Sequence, residues 1–235
     1  MNVIFKAGCI NDIFNESYRN FSQRCLEGTS SIGAVRDDFY MVKDLFVKSG
    51  QVQDFFDKTS QLCEKVEAKG HQNISDLLIN ELSKLCRGFV LKGNNEKIIY
   101  KAIENCQRNH DGLHELARIN DLEEIYRNAN RRYDLLKILA KKKSCCKKIL
   151  KDYDENVKNF KTIIKPPASR EKVKIQLGTT YSQMADLLSY SRPRDAIALY
   201  QKAIEVHREL KFYRAAGYAA HRINEIKKGR NYGKF

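Results

Sequence analysis

Two histidines four residues apart, His110 and His114, with Glu115 after the second, are the nearest this chain comes to a metal-ligand pattern. Imidazoles at i and i+4 share a helix face and hold zinc when further ligands complete the site. Here the His-Glu-x-x-His arrangement is missing and no Cys-x-x-Cys pair supplies thiolates, so both are read as surface histidines and no metal is expected. Asp37-Asp38 and Glu123-Glu124 offer adjacent carboxylates. Neighbours on a helix point about 100° apart and do not serve one substrate as acid and base. No glycine-rich phosphate loop and no Gly-x-Ser-x-Gly elbow occurs. Catalysis has no visible set of residues, and no cofactor is expected.

Charge is the stronger chemical signal. Lysine and arginine number 43 against 29 acids, a formal net charge of +14. Such an excess favours acidic partners: nucleic acid, an anionic membrane or an acidic protein surface. It is densest over 131–151. On a helical wheel started at Lys141, the residues Leu135, Ile138, Leu139, Cys145, Cys146, Ile149 and Leu150 fill an arc of roughly 40° to 180°. Lys137, Lys143, Lys147, Lys148 and Lys151 fill the opposite side. With Arg131, Arg132 and Lys141 they form a candidate surface for nucleic acid or another acidic partner. No aromatic residues for base stacking are interleaved with it, and a plain solvated helix back has the same composition. Lys142 alone points into the apolar arc.

Side chains in these registers need helices to hold them. Only three prolines occur in 235 residues, and few glycines interrupt the apolar stretches, which favours long helices over short strands. Helices are expected over 11–27, 33–48, 51–69, 72–92, 95–109, 112–128, 131–151, 152–164, 170–190, 194–210 and 212–228. Gly28, Gly50, Gly70 and Gly93 mark helix ends, and Asn94-Asn95, Asp111 and Ser169 are candidate N-caps. The segment Ile79-Asn80-Glu81-Leu82-Ser83-Lys84-Leu85-Cys86-Arg87 returns forty positions later as Ile119-Asn120-Asp121-Leu122-Glu123-Glu124-Ile125-Tyr126-Arg127. Lys97-Ile98-Ile99 and Lys101 likewise precede Lys137-Ile138-Leu139 and Lys141 by forty. A fixed period of this size marks a helical-repeat array.

Asp195-Ala-Ile-Ala-Leu-Tyr200-Gln-Lys-Ala203-Ile-Glu205-Val resembles the second helix of a tetratricopeptide repeat, in which small residues let paired helices approach closely. Its continuation through His207 to Ala215-Ala216 is similar to the longer, roughly 40-residue variety. A first helix precedes it with Tyr181, Met184 and Leu188 inward. Two features depart from the pattern. The third unit lies 61–62 residues on rather than 40, and Lys142 stands where Ala102 and Ala203 stand in the other units. That lysine is expected to splay its helix pair or to snorkel outward. The resemblance implies an all-α, right-handed array of antiparallel helix pairs that binds a protein or peptide in its concave groove. By carry-over the groove residues are Asn80, Lys84 and Arg87, then Asn120, Glu124 and Arg127, then Ser182, Asp186 and Ser189, each trio on one helix face. The expected organisation is a flexible arm over 1–10, a helical region over 11–70, and repeats over 71–165. A break at 166–169, tetratricopeptide-like helices over 170–228 and a tail over 229–235 complete it.

Arg108-Asn109-His110-Asp111-Gly112-Leu113-His114 resembles the Arg-Asn-x4-His motif of the HEPN ribonucleases, but Asp111-Gly112 puts a helix junction inside it. The chain is therefore read as a non-catalytic binding scaffold, with RNA binding as the alternative. Seven scattered cysteines and the lack of a signal-peptide pattern are read as reduced thiols in a cytoplasmic protein. No apolar run is long enough to span a membrane.

Overall fold

A computed structural model of the chain describes the backbone of residues 7–88, 95–160 and 167–229, and the side chains of 12–86, 95–155 and 170–229. Among the described residues there are ten α-helices and no strand. They are α1 (Ala7–Glu27), α2 (Ile32–Lys48), α3 (Val52–Ala68), α4 (Gln72–Gly88), α5 (Asn95–Arg108), α6 (Gly112–Asn128), α7 (Arg132–Phe160), α8 (Pro167–Leu188), α9 (Pro193–Glu209) and α10 (Tyr213–Lys227). No described helix is long and apolar enough to cross a membrane.

Several local expectations change. Helix α1 begins at Ala7, within the stretch read as an arm, and residues 1–6, 161–166 and 230–235 lie outside the described ones. The segments expected as 131–151 and 152–164 are one 29-residue helix, because nothing between Leu150 and Glu155 breaks it. Helix α8 starts at Pro167, where a proline at the first turn loses no hydrogen bond, so Ser169 is inside the helix and not its cap. Asp111 does cap α6, its side chain accepting from the His114 amide. Gly28, Gly50 and Gly70 turn with positive φ, as expected of helix-stopping glycines. At three further turns His110, Asn130 and Lys211 adopt the same left-handed conformation without being glycine, a more strained choice that the sequence does not advertise. Gly93 and Asn94 lie outside the described residues.

The chain forms two compact units, Met1–Asn109 and His110–Phe235. The division falls inside 71–165, so the two copies of the forty-residue echo, α4–α5 and α6–α7, belong to different units. In the first unit α1, α2 and α3 bury a cluster of aromatic rings. Phe39 and Phe55 meet at 5.2 Å between centroids, Phe46 and Phe55 at 5.4 Å, and Phe14 and Phe46 at 5.7 Å. Helix α4 joins this core through Leu78 and Leu82, and Tyr40 on α2 donates its hydroxyl to the buried Glu81 carboxylate at 2.8 Å.

In the second unit each helix from α6 to α10 packs against the next. Ala196, Tyr200 and Ala203 on α9 are fully buried, as are Tyr181, Met184 and Ala185 on α8, while Leu188 is only half-buried. Gly178 lets α8 approach α9: a Cβ there would sit 2.8 Å from the His207 ring. That imidazole is 4% exposed, its Nδ1 has no hydrogen-bond partner among the described residues, and burial lowers its pKa. The cysteines are buried or half-buried free thiols over the described residues; burial raises Cys25 and Cys145 to about 12 and Cys146 to about 11, which leaves them unreactive.

Lys142 does not snorkel outward. It is 6% exposed, and its ammonium lies 2.7 Å from Glu123 on α6. The first copy of the echo has Ser83 and Ala102, both fully buried, at the corresponding positions forty residues earlier. Two uncharged residues in one copy are thus exchanged for an ion pair in the other. Burial pushes the Glu123 carboxyl up, but Lys142 and Arg127 outweigh it and hold the group below the usual carboxylate range.

Breaking a buried pair leaves a stranded charge, whereas replacing both members restores a neutral core. Lys142→Ala should lower unfolding free energy by roughly 2–4 kcal/mol in denaturant titration, and Glu123→Ser/Lys142→Ala should recover most of that loss. A second expectation concerns His207. The unfolded imidazole takes up a proton near its ordinary value of about 6.5, and the folded one resists it, so protons favour the unfolded chain as pH falls. Stability measured from about pH 7 to about pH 5 should fall less in His207→Leu than in the unaltered chain.

Candidate functional site

Within the second unit, α6 and α8 present polar side chains at matching intervals. Asn120 and Arg127 are seven apart on α6, and Gln176 and Gln183 are seven apart on α8, so each pair shares a helix face. Asn120 Nδ2 donates to Gln176 Oε1 at 3.3 Å, joining the two faces. The Asn120 Oδ1 and Gln183 Oε1 atoms are buried with no hydrogen-bond partner among the described residues.

A cleft of about 130 Å³ opens at the ends of these helices. Leu135 and Leu139 from α7 and Leu187 from α8 form its apolar floor, and Arg127, Asn130, Arg132, Gln183 and Asp186 form its polar walls. Arg127 donates to Glu123 at 2.7 Å, the same carboxylate that takes Lys142, so two cations share one anion. Asp186 is engaged from the helices behind it. Its Oδ1 accepts from the Tyr200 hydroxyl and, at 3.1 Å, from the Tyr218 hydroxyl, and it lies 3.5 Å from the Arg222 guanidinium. Arg222 also donates to the Tyr200 oxygen at 3.3 Å and to Glu225 at 2.9 Å. Burial opposes the Arg222 charge, but Tyr200 and Glu225 hold it; burial and Asp186 both keep the Tyr200 phenol protonated. The cleft is therefore cationic over an apolar base.

The sequence-derived groove residues fare unevenly. Arg127 and Asp186 line one cleft, and Asn120 lies on the connected face. Glu124 is exposed and Ser182 half-buried. Ser189 is a correction: at 2% exposure, with its hydroxyl donating to the Asp186 carbonyl at 2.9 Å, it closes the end of α8 and meets no partner. In the first unit Asn80 is half-buried, Lys84 is held by the buried Glu81 at 2.7 Å, and the Arg87 side chain lies outside the described residues. Gln176 and Gln183 were missed although their seven-residue spacing was visible. Tyr218 and Arg222 were missed because only the fold brings α10 to Asp186.

The basic surface is also mixed. Lys137, Lys147, Lys148 and Lys151 are exposed, whereas Lys141 and Lys143 are half-buried. Lys151 pairs with Glu155 at 3.5 Å and Arg131 with Asp134 at 2.8 Å, while Arg132 turns toward the cleft. Lys137 lies 4.2 Å from the centroid of the exposed Tyr133 ring, an aromatic that the sequence reading did not credit to this surface.

The ribonuclease-like motif is split across the boundary of the two units. Arg108 at the end of α5 donates to Asp76 at 3.0 Å, and His114 in the first turn of α6 meets Asp111 at 2.6 Å. Among the described residues no three histidines, cysteines or acids are placed to hold a metal ion. Comparison of the chain with protein-family models, with curated proteins and with solved structures finds no match.

Asp186→Ala removes the acceptor of the buried Tyr200 hydroxyl and one of the two carboxylates beside Arg222. It should cost about 2–4 kcal/mol in equilibrium unfolding, against less than about 1 kcal/mol for Tyr218→Phe at the half-exposed edge.

Proposed function

We propose that this protein is a non-catalytic scaffold that captures a peptide segment of a partner protein along the α6–α8 face, with the cationic cleft as its anchor. The observation that carries the reading is that cleft: two guanidiniums over a leucine floor, with one oxygen of the nearby carboxylate already accepting from two phenols and lying beside Arg222. An acidic group beside an apolar side chain fits it, because guanidinium forks take carboxylates in defined geometry and the leucines desolvate the contact. The unsatisfied amide oxygens of Asn120 and Gln183 favour a ligand that also donates, as a peptide backbone does. Sequential packing of α6 to α10 and the small residues of α9 support a tetratricopeptide-like array of antiparallel helix pairs in this unit.

A second reading rests on Lys147 and Lys148, which are exposed and have no carboxylate partner among the described residues. Together with Lys137 and Lys151 they suit the phosphates of RNA, bound without base readout.

A photoreactive residue at Gln183, exposed to native extract, should crosslink partner protein that the same residue at Lys147 does not. Arg127→Ala/Arg132→Ala should reduce that capture at least about tenfold while the circular dichroism of the folded chain is retained. Equal crosslinking from both positions, or capture unaltered in the double variant, contradicts the peptide reading. For the RNA reading, Lys147→Glu/Lys148→Glu/Lys151→Glu should abolish a binding that falls steeply with salt; RNA affinity unchanged in that variant removes it.

A further inference from the structure

We propose that the cleft between α1 and α3 in the first unit binds a small phosphate monoester. Two cross-helix bridges fix how these helices lie. Lys58 Nζ donates to Asn15 Oδ1 at 3.3 Å, and Lys69 Nζ donates to the Leu26 carbonyl at 3.3 Å. Both join residues 43 apart, so α1 and the α3 segment run parallel in constant register. That register brings Ser22 level with Lys65, and Arg19 level with Leu62. Between the bridges a cleft of about 310 Å³ remains, at the lower end of the range for small-molecule sites.

Tyr18, Leu26 and Leu62 give the cleft an apolar base, and Arg19, Lys58 and Lys65 supply its charge. Lys58 is held by Asp54 at 2.8 Å. Arg19 and Lys65 have no carboxylate partner among the described residues, no acid lines the cleft, and residues 1–11 contain no acidic side chain. Two like charges on opposite walls repel, and an anion between them converts that repulsion into attraction. Apolar walls concentrate the field. A phosphate monoester brings close to two negative charges and three acceptor oxygens, which matches a guanidinium fork and an ammonium together better than a single carboxylate does. The apolar base takes the organic body of the ester, so an esterified phosphate is favoured over the bare ion.

The site lies in the unit that the peptide reading does not use, and the two stand or fall separately. Calorimetric titration of the full chain with phenyl phosphate should show saturable binding at one equivalent, tighter than inorganic phosphate, with no measurable binding of phenol. Arg19→Ala/Lys65→Ala, which removes two exposed side chains, should weaken phenyl phosphate at least about tenfold. Lys147→Ala/Lys148→Ala removes the same charge elsewhere and should leave affinity within about twofold. Absence of saturable binding, full binding in the first variant, or equal weakening by the second would each overturn the proposal.

Discussion

One carboxylate, Glu123, sets the geometry of the second unit's candidate surface. It is largely buried and accepts from Lys142 on α7 and from Arg127 one turn along its own helix. The first contact fastens α6 to α7 through a position where the first copy of the forty-residue echo has the small, buried Ala102. The second points a guanidinium into the cleft. Desolvation pushes the Glu123 carboxyl toward its protonated form, and the two cations outweigh it and favour the charged one. Loosening that carboxylate would therefore disturb helix packing and cleft charge together. Helix packing and ligand chemistry are coupled here through a single side chain.

A parallel coupling operates on the other wall. Asp186 lines the cleft, and its Oδ1 is engaged by Tyr200, Tyr218 and Arg222 from α9 and α10. The helices behind α8 thereby engage the acid that lines the cleft, opposite Arg127 and Arg132. Leu135, Leu139 and Leu187 set an apolar surface beside these guanidiniums, which can shield part of a bound ligand from water. The lysine back of α7 lacks this setting. Its ammonium groups stand in solvent, where salt screens them, so they suit loose polyanion contact and not a defined ligand.

Helix content was legible because apolar residues recur at helical spacing and glycines mark several ends. The ends at His110, Asn130 and Lys211 were placed to within a residue although no glycine marks them, and the failure was the split expected at 151/152, where no breaker exists. The echo identified Asn120 and Arg127 as a shared face, and its irregularity at Lys142 was visible as a problem. Its solution was not, because Glu123 lies nineteen residues away and reads as one of two ordinary surface acids. Ser189 was misplaced because seven-residue spacing puts it on the right face but cannot show that it sits at a helix end turned inward. The α1–α3 cleft was invisible because residues 1–70 carry no repeat, and its register depends on two lysine bridges across 43 residues.

The most direct test of the central claim is amide hydrogen exchange on the protein with and without the partner peptide captured at Gln183. Slowed exchange centred on the end of α6, the turn at Asn130 and the last two turns of α8 is the predicted result. Protection confined to the lysine face of α7, or to helices of the first unit, would contradict it.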